Sequence, residues 1–483
     1  MSHYEKLQEL LLKRAIIYPT AEPHNPVAGF YDYGSTGSEI KRRLETEWRS
    51  FFLSLADNFH EIDSSLIMPQ SVFKASGHLE HFNDPIAECG KCKTQVRADH
   101  LLEEFLGEKF EGLSANELNA VIKKHKAVCP KCKAKFKDIE SFTLMFPVSV
   151  GAGDAKTTAY LRPETAQGPF TAYKREFRAN REKLPLGLAI IGKAFRNEIS
   201  PRQLTIRARE FTQAELQIFF DPKATPDIDY KSIKKKKVLF ALPGKKEKAM
   251  TIDEVKKATK MPEFLLYYLA KDWEFMEYIG LGKHLRLAQL SDEEKAFYNQ
   301  YHIDLEVKLP SFDKWVEIAG FHYRTDHDLK GHQKVSGQKM LVPGKDYNPH
   351  VLELSFGVDR LVFALLDTSL KEGKDGWYFA LPPRLAPFDA GVYPLVNKEG
   401  LPEKARIVLQ TLRDEGIKVF FDAGGSIGRR YARADEVGVP FGITFDFDSL
   451  KDNAVTVRER DTQKQERVKI TELSGYLWKR KSA

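Results

Sequence analysis

Ile40, Leu44, Trp48, Phe51, Phe52 and Leu55 recur at helical spacing, with Lys41, Arg42, Arg43, Glu45 and Arg49 between them. The pattern predicts an amphipathic helix of about four turns, capped by Ser38. From about Phe142 to Phe220 the period falls to two, with Pro- and Gly-bearing loops between strand-like runs. Ala208, Thr212, Ala214, Leu216, Ile218 and Phe220 fall on one face, and Arg207, Arg209, Phe211, Gln213, Glu215 and Gln217 on the other. One face reads as core, while the other is crowded with cations, an aromatic ring and a carboxylate. A single strand like this could simply carry a solvated outer face. The asymmetry recurs, however. Arg162 and Glu164 share a face in Tyr160–Glu164, Val316 and Ile318 oppose Glu317, and Glu353 and Ser355 point together in His350–Phe356. Four such strands predict an antiparallel sheet with helices behind and a polar site in front.

Two charged stretches interrupt this pattern. Residues 86–140 are rich in Lys and Glu and bracketed by cysteines, and residues 221–304 carry the run Lys231 to Lys237 and two helix-like segments. Both read as insertions. Strands resume from Leu305 to Phe356, followed by the helical run Arg360 to Leu366. Beyond Pro382-Pro383 the style changes: strand 388–395, helix 402–415, strand 417–421, a Gly-rich loop, a further helix and three short strands. This alternation predicts a terminal α/β domain of about 100 residues. The expected division is 1–385 and 386–483, with no internal repeat.

The chain has 483 residues, 42% hydrophobic and 30% charged, a balance that excludes disorder, collagen and coiled coil as descriptions of the whole. No apolar run approaches the ~20 residues of a membrane-spanning helix. The N-terminal MSHYEKLQELLLKR carries Glu5 and Glu9 and lacks a small-residue cleavage site, so a cytoplasmic location is the expectation. A formal charge of +7 permits a polyanionic partner without requiring one.

Four cysteines are too few for a disulfide scaffold. They form two CxxC pairs, Cys89/Cys92 and Cys129/Cys132, suited to tetrahedral thiolate coordination of Zn²⁺. The 36 residues between the pairs predict an inserted helical segment, about 99–125. Four protein ligands leave no open position, so the metal would be structural.

Phe195-Arg-Asn-Glu198 followed by Arg209-Glu-Phe211 resembles motif 2 of a class II aminoacyl-tRNA synthetase, HVLELSFGVDR (350–360) resembles motif 3, and the strand ending at Pro69 resembles motif 1. The combination of GFYDYG (29–34), RPETAQG (162–168), RNEISPR (196–202) and EIAG (317–320) is similar to glycyl-tRNA synthetases of the homodimeric type. GGSIGRRYARADEVGVPFGIT (424–444) resembles their anticodon-binding domain. The resemblance covers nearly the entire chain. It implies an α+β catalytic domain with an antiparallel sheet, a zinc-bearing insertion, and a C-terminal α/β anticodon-binding domain. It also implies glycine, ATP, Mg²⁺ and tRNA(Gly) as ligands, and a homodimer through motif 1.

The residue types suit that chemistry. Amino-acid activation brings a carboxylate up to the α-phosphate of ATP, and a planar, permanently charged guanidinium such as Arg196 can bridge the two anions. By the resemblance, Phe211 stacks under adenine, Arg360 meets the γ-phosphate, and Glu317 and Glu198 engage the nucleotide or its Mg²⁺. Glu164, Glu215, Glu353 and Ser355 would surround the glycine ammonium. Such a pocket leaves little room for a β-methyl, so no editing domain is expected. Arg429, Arg430 and Arg433 are candidate RNA contacts; GGSIGR lacks the Lys-Ser/Thr pair of a P-loop. The lysine run reads as a solvated loop, with contact to tRNA phosphates as the alternative.

The chain departs from the family pattern in three places. Leu354 stands where Pro usually follows the motif 3 glutamate, His322-Tyr323-Arg324 replaces the usual Ala-Asp-Arg, and Ser35-Thr36 follows GFYDYG where Pro is usual. A catalytically dead RNA-binding relative would lose the motif arginines, which are present here. A class II enzyme for proline, threonine or histidine is disfavoured by RPETAQG and its glutamates.

Overall fold

The computed structural model describes residues 2–108, 110, 113–201, 203–295, 299–374 and 376–481. Its largest sheet has nine strands: β1 (Phe59–Glu61), β2 (Leu186–Phe195), β3 (Glu210–Phe220), β4 (Lys237–Ala241), β5 (Lys248–Thr251), β6 (Leu285–Gln289), β7 (Tyr301–Leu309), β8 (Lys314–Thr325) and β9 (His350–Gly357). They lie in the order β5-β4-β6-β7-β8-β9-β3-β2-β1. Every neighbour pair is antiparallel except β1–β2 and β4–β6.

The period-two reading of β3 determines which way this sheet faces. Ala214, Leu216 and Ile218 enter the main core with Trp48 and Phe52 of helix Ser35–Leu53, Phe275 of helix Glu263–Tyr278, and the helix Val358–Ser369. Rings of Trp48, Phe52, Phe275 and Phe356 interlock there, mostly edge-on or tilted, the arrangement the aromatic quadrupole favours. On the opposite face, helix Gln167–Ala179 covers the lower rows through Phe170 and Tyr173 against Leu186, Leu188 and Phe219. The upper rows are left open as a cleft.

Two local expectations are corrected. Ser38 does not cap its helix. The helix begins at Ser35 with Gly34 at the cap position, and Ser38 sits one turn in, its Oγ donating to Tyr33 O at 3.0 Å. Gly34 is required by contact, since a Cβ there would lie 2.0 Å from Ala15 O. The strand before RPETAQG, Thr157–Leu161, is not part of the large sheet either. It pairs with Ile67–Pro69 and Phe146–Val150 in a separate three-stranded sheet. Arg162 and Glu164 follow its end, so they occupy no common strand face.

Between Asn83 and Thr143 a small module has its own three-stranded sheet, helices Ala98–Leu106 and Ala115–His125, and its own core around Leu102, Leu118 and Ile122. The C-terminal segment carries a five-stranded sheet, with strand Ala390–Pro394 parallel to both neighbours, Val419–Phe421 and Phe441–Phe445. Its core of Val392, Leu409, Ile443 and Val457 is separate from that of the large sheet. Helices Ser449–Asp452 and Leu473–Lys481 were not anticipated. Among the described residues no helix is long and apolar enough to cross a membrane.

Candidate functional site

The open face of the large sheet forms a cleft of about 650 Å³. At one end, Arg196 leaves β2 immediately after its last residue. Its Nε donates to Pro163 O at 3.0 Å, and its guanidinium lies 5.3 Å from the Phe211 ring centroid. Arg360 projects from the first turn of helix Val358–Ser369. It donates to Ile206 O (3.1 Å) and Glu317 O (3.0 Å), and stands 3.2 Å from the Glu317 carboxylate. Glu317 is half-exposed at the cleft wall; burial of its inner part opposes ionisation, but Arg360 holds its carboxyl below the usual range. Glu198 lies 3.7 Å from Arg207.

At the other end, three carboxylates meet in the buried floor. Glu215 and Ser355 are cross-strand partners, and Ser355 Oγ donates to Glu215 Oε1 at 2.9 Å. Glu215 Oε2 is buried without a hydrogen-bond partner. Glu353 lies within 3.2 Å of Arg324, and Gln217 Nε2 donates to its Oε2 at 2.7 Å. Glu164 enters from the turn after Pro163, 3.6 Å from His78, and accepts from Gln167 Nε2 at 2.8 Å.

These environments drive the three groups apart. Burial, then the charges of Glu353 and Glu164, push Glu215 up to about 8. Burial acts the same way on Glu353, but Arg324 and His322 outweigh it and hold that carboxyl down to about 2. For Glu164, the neighbouring His78 and Arg324 overcome burial and keep it well below the usual carboxylate range. The floor therefore holds two compensated anions and one carboxyl whose outer oxygen lacks a partner. A small cation is the group that would satisfy it.

Every carboxylate, arginine and ring singled out for the catalytic site lines this one cleft. Asp359, Gln213 and Arg324, to which the sequence assigned no role, line it as well. Asp359, buried beside Arg360, accepts from Tyr33 Oη at 2.7 Å and from the Thr212 amide; only its adjacency to Arg360 in GVDR could have suggested it. Gln213 accepts from the Thr165 amide at 3.1 Å, tying the RPETAQG turn to β3. Arg324 makes a two-pronged pair with Asp328 at 2.7 and 2.9 Å while reaching Glu353. Arg162 is buried and structural: Nε donates to Lys193 O (2.7 Å) and Nη1 to Ser64 O (3.0 Å). Gly192 makes room for it, since a Cβ there would lie 2.1 Å from Arg162 Nη2. Arg202, the last residue of RNEISPR, lies outside the described residues.

In the small module, the Sγ atoms of Cys89, Cys92, Cys129 and Cys132 all lie within 4.8 Å of one another, and no disulfide joins them. Separations of 3.4 Å (Cys89–Cys132) and 3.6 Å (Cys92–Cys129) match ligands about 2.3 Å from a common centre. Thr94 holds the Cys92 thiol down to about 6. Four converging thiols, one already poised as thiolate, fit Zn²⁺ with no open position.

The three arginines of the C-terminal domain separate. Arg429 is exposed. Arg433 pairs with Asp422 at 2.6 Å. Arg430 is buried, its Nη2 donating to Ala423 O (2.9 Å) and Gly425 O (2.6 Å). Its donors hold the Gly-rich loop in shape from behind, which corrects its expected role as an RNA contact.

An antiparallel sheet that carries an arginine over a phenylalanine, and a second arginine at the start of the following helix, defines the catalytic core of class II aminoacyl-tRNA synthetases. Residues 147–369 match the family model described as the tRNA synthetase class II core domain (G, H, P, S and T), and residues 389–480 match the anticodon binding domain. Over 99% of both chains the sequence is 35% identical to the glycine–tRNA ligase of Methanocaldococcus jannaschii, and 36% identical to that of Methanothermobacter thermautotrophicus. It is 38% identical to the Pyrococcus horikoshii glycine–tRNA ligase over 98% of each. The chain belongs to the glycine–tRNA ligase family.

Proposed function

We propose that this chain activates glycine with ATP, releasing pyrophosphate, and transfers the glycyl group to the 3′ end of tRNA(Gly). The observation that carries this reading is the unpartnered, buried Oε2 of Glu215, set among Glu164, Glu353 and Ser355 on the same sheet face as Arg196 and Phe211. The ammonium of glycine takes the Glu215 oxygen. The floor holds the amino acid by charge, without the apolar slot a side chain would need. Arg196, held by Pro163 O next to Glu164 and set over the ring of Phe211, bridges the glycine carboxylate and the α-phosphate of ATP. The charge developing there meets a preorganised guanidinium, already fixed by Pro163 O. Phe211 supports adenine, and Arg360 takes the γ-phosphate.

Glu317 and Glu198 would hold Mg²⁺, and their carboxylates at the cleft wall suit a hard cation. When bound, that ion neutralises phosphate charge; the chain's own arginines orient the reactants. The four cysteines would hold a structural Zn²⁺. We assign residues 1–385 to the catalytic unit, with insertions 86–140 and 221–304, and residues 386–483 to anticodon binding through Arg429 and Arg433. The separate hydrophobic cores support that division. The motif 1 region would form the homodimer interface.

The test is amino-acid-dependent ATP–pyrophosphate exchange with each of the twenty amino acids in turn. Glycine alone should support exchange. Exchange with a different amino acid overturns the assignment of the floor, and no exchange from folded, zinc-loaded protein overturns the catalytic reading.

A further inference from the structure

One half-buried group of side chains on the cleft face, His302, Asp304 and His322, is not used by the mechanism above, and it coincides with the departure at His322. Two rows of side chains cross the open sheet face. Asp304, Gly320, Ser355 and Glu215 lie side by side across β7, β8, β9 and β3, and His302, His322, Glu353 and Gln217 form the next row. The first row ends in Glu215, whose Oε2 has no hydrogen-bond partner. The second contains the charge that must stay fixed beside it.

His322 links the two rows. Its Nδ1 stands 2.7 Å from Glu353 Oε1, a close polar approach that lies off the hydrogen-bond axis, and its Nε2 stands 3.0 Å from His302 Nε2. His302 Nε2 is in turn 3.0 Å from Asp304 Oδ1. Two imidazole nitrogens 3.0 Å apart need one proton between them; two would clash and none would set lone pair against lone pair. The carboxylate draws the His322 proton to Nδ1, so the shared proton resides on His302, whose N–H also faces Asp304. The ring has this space because residue 320 is glycine: a Cβ there would lie 2.5 Å from His322 Cε1.

We propose that His322, fixed by His302, is a positioning residue for glycine binding: it holds one oxygen of Glu353 so that the carboxylate stays turned toward the ammonium. Gln217 holds the other oxygen at 2.7 Å. Arg324, at 3.2 and 3.3 Å from the two oxygens, competes for the whole group. Without His322, Glu353 turns toward Arg324 Nη1, which already reaches both of its oxygens, and its charge leaves the floor.

This inference rests on the glycine-activating reading, and the two fail differently. Exchange kinetics are measured with glycine and ATP varied separately for wild type, His322→Ala, His302→Leu, the double variant and His322→Gln, with circular dichroism melts for each. The expected result is a glycine KM raised about tenfold in both single variants, with kcat and ATP KM within about twofold of wild type. The double variant should match the singles, because His302 acts through His322, and His322→Gln should recover most of the loss through its amide. An unchanged glycine KM in folded His322→Ala overturns the proposal, as does a kcat loss as large as the KM change. If His322→Ala fails to fold, an unchanged glycine KM in His302→Leu overturns it equally. Absence of glycine-dependent exchange in the wild type overturns the functional reading itself.

Discussion

Glu215 is where residue-scale chemistry has the most visible consequence. In the empty site it keeps its proton up to a pH of about 8, because burial and two neighbouring carboxylates disfavour a third negative charge. The glycine ammonium favours the anion, so binding releases that proton. Raising the pH toward 8 removes the cost of releasing it. The glycine KM should therefore fall between pH 6 and 8, by up to about tenfold per unit, and level off above 8. Glu215→Gln should raise the KM and flatten this profile; steady-state exchange across the pH range measures both. That RPETAQG, motif 2 and motif 3 each contribute a glutamate was readable from the sequence. Which of the three keeps its proton was not, because positions 164, 215 and 353 meet only in the fold.

At the scale of single elements, one helix carries a cost with no compensation inside the fold. Asp272, in helix Glu263–Tyr278, is fully buried, and neither of its oxygens has a hydrogen-bond partner among the described residues. Burial pushes its carboxyl well above the usual range. The unfolded chain ionises this group above about pH 4 while the folded one does not, so the fold loses stability as pH rises past that value. Asp272→Leu should stabilise the protein by about 1–3 kcal/mol at neutral pH. The gain in melting temperature should be smaller near pH 4 than at neutral pH, where the ionisation cost adds to that of the unpaired carboxyl, and calorimetry at the two pH values checks this.

The small cysteine module makes the opposite case, since its core of a few apolar side chains is too small to stand alone. Replacing Cys89 and Cys92 with serine should remove one zinc per chain by elemental analysis. It should also raise amide exchange across residues 83–143, while β3 and β9 stay protected. The two CxxC pairs announced this module in the sequence. The cap expected at Ser38 shows why helix starts are harder to read: Ala15 O, nineteen residues upstream, imposes glycine at 34 and thereby sets where the helix begins.

Across the whole molecule, two carboxylates of the terminal α/β segment, Asp389 and Glu436, reach the rest of the chain, beside the pair between its Lys418 and Glu39. Asp389 pairs with Arg43 at 2.8 Å and with Lys481 at 2.9 Å, and Glu436 pairs with Lys13 at 3.0 Å and with Arg14. Neutralising both, as Asp389→Asn with Glu436→Gln, should loosen this joint and speed proteolysis within 382–388. Glycine-dependent exchange, which needs only the cleft, should stay within about twofold. Charging of tRNA should fall several-fold, because one RNA must reach the cleft and the terminal domain together. Equal losses in both assays would mean that the joint supports the cleft itself.

The sequence by itself determined the class of the protein, its family, the two CxxC pairs, the apolar and polar faces of β3 and β9, and the β-α-β order of the last hundred residues. Each depends on near neighbours in the chain or on residue types at fixed spacing, which folding does not alter. Only the tertiary structure decided that Glu164 enters from a turn, that Arg430 is spent behind its loop, that Asp359 and Arg324 support the site, and that His302 and His322 meet beside Glu353. Those outcomes depend on which side chains from distant segments come within about 3 Å in a dry interior, where a single contact sets charge and orientation.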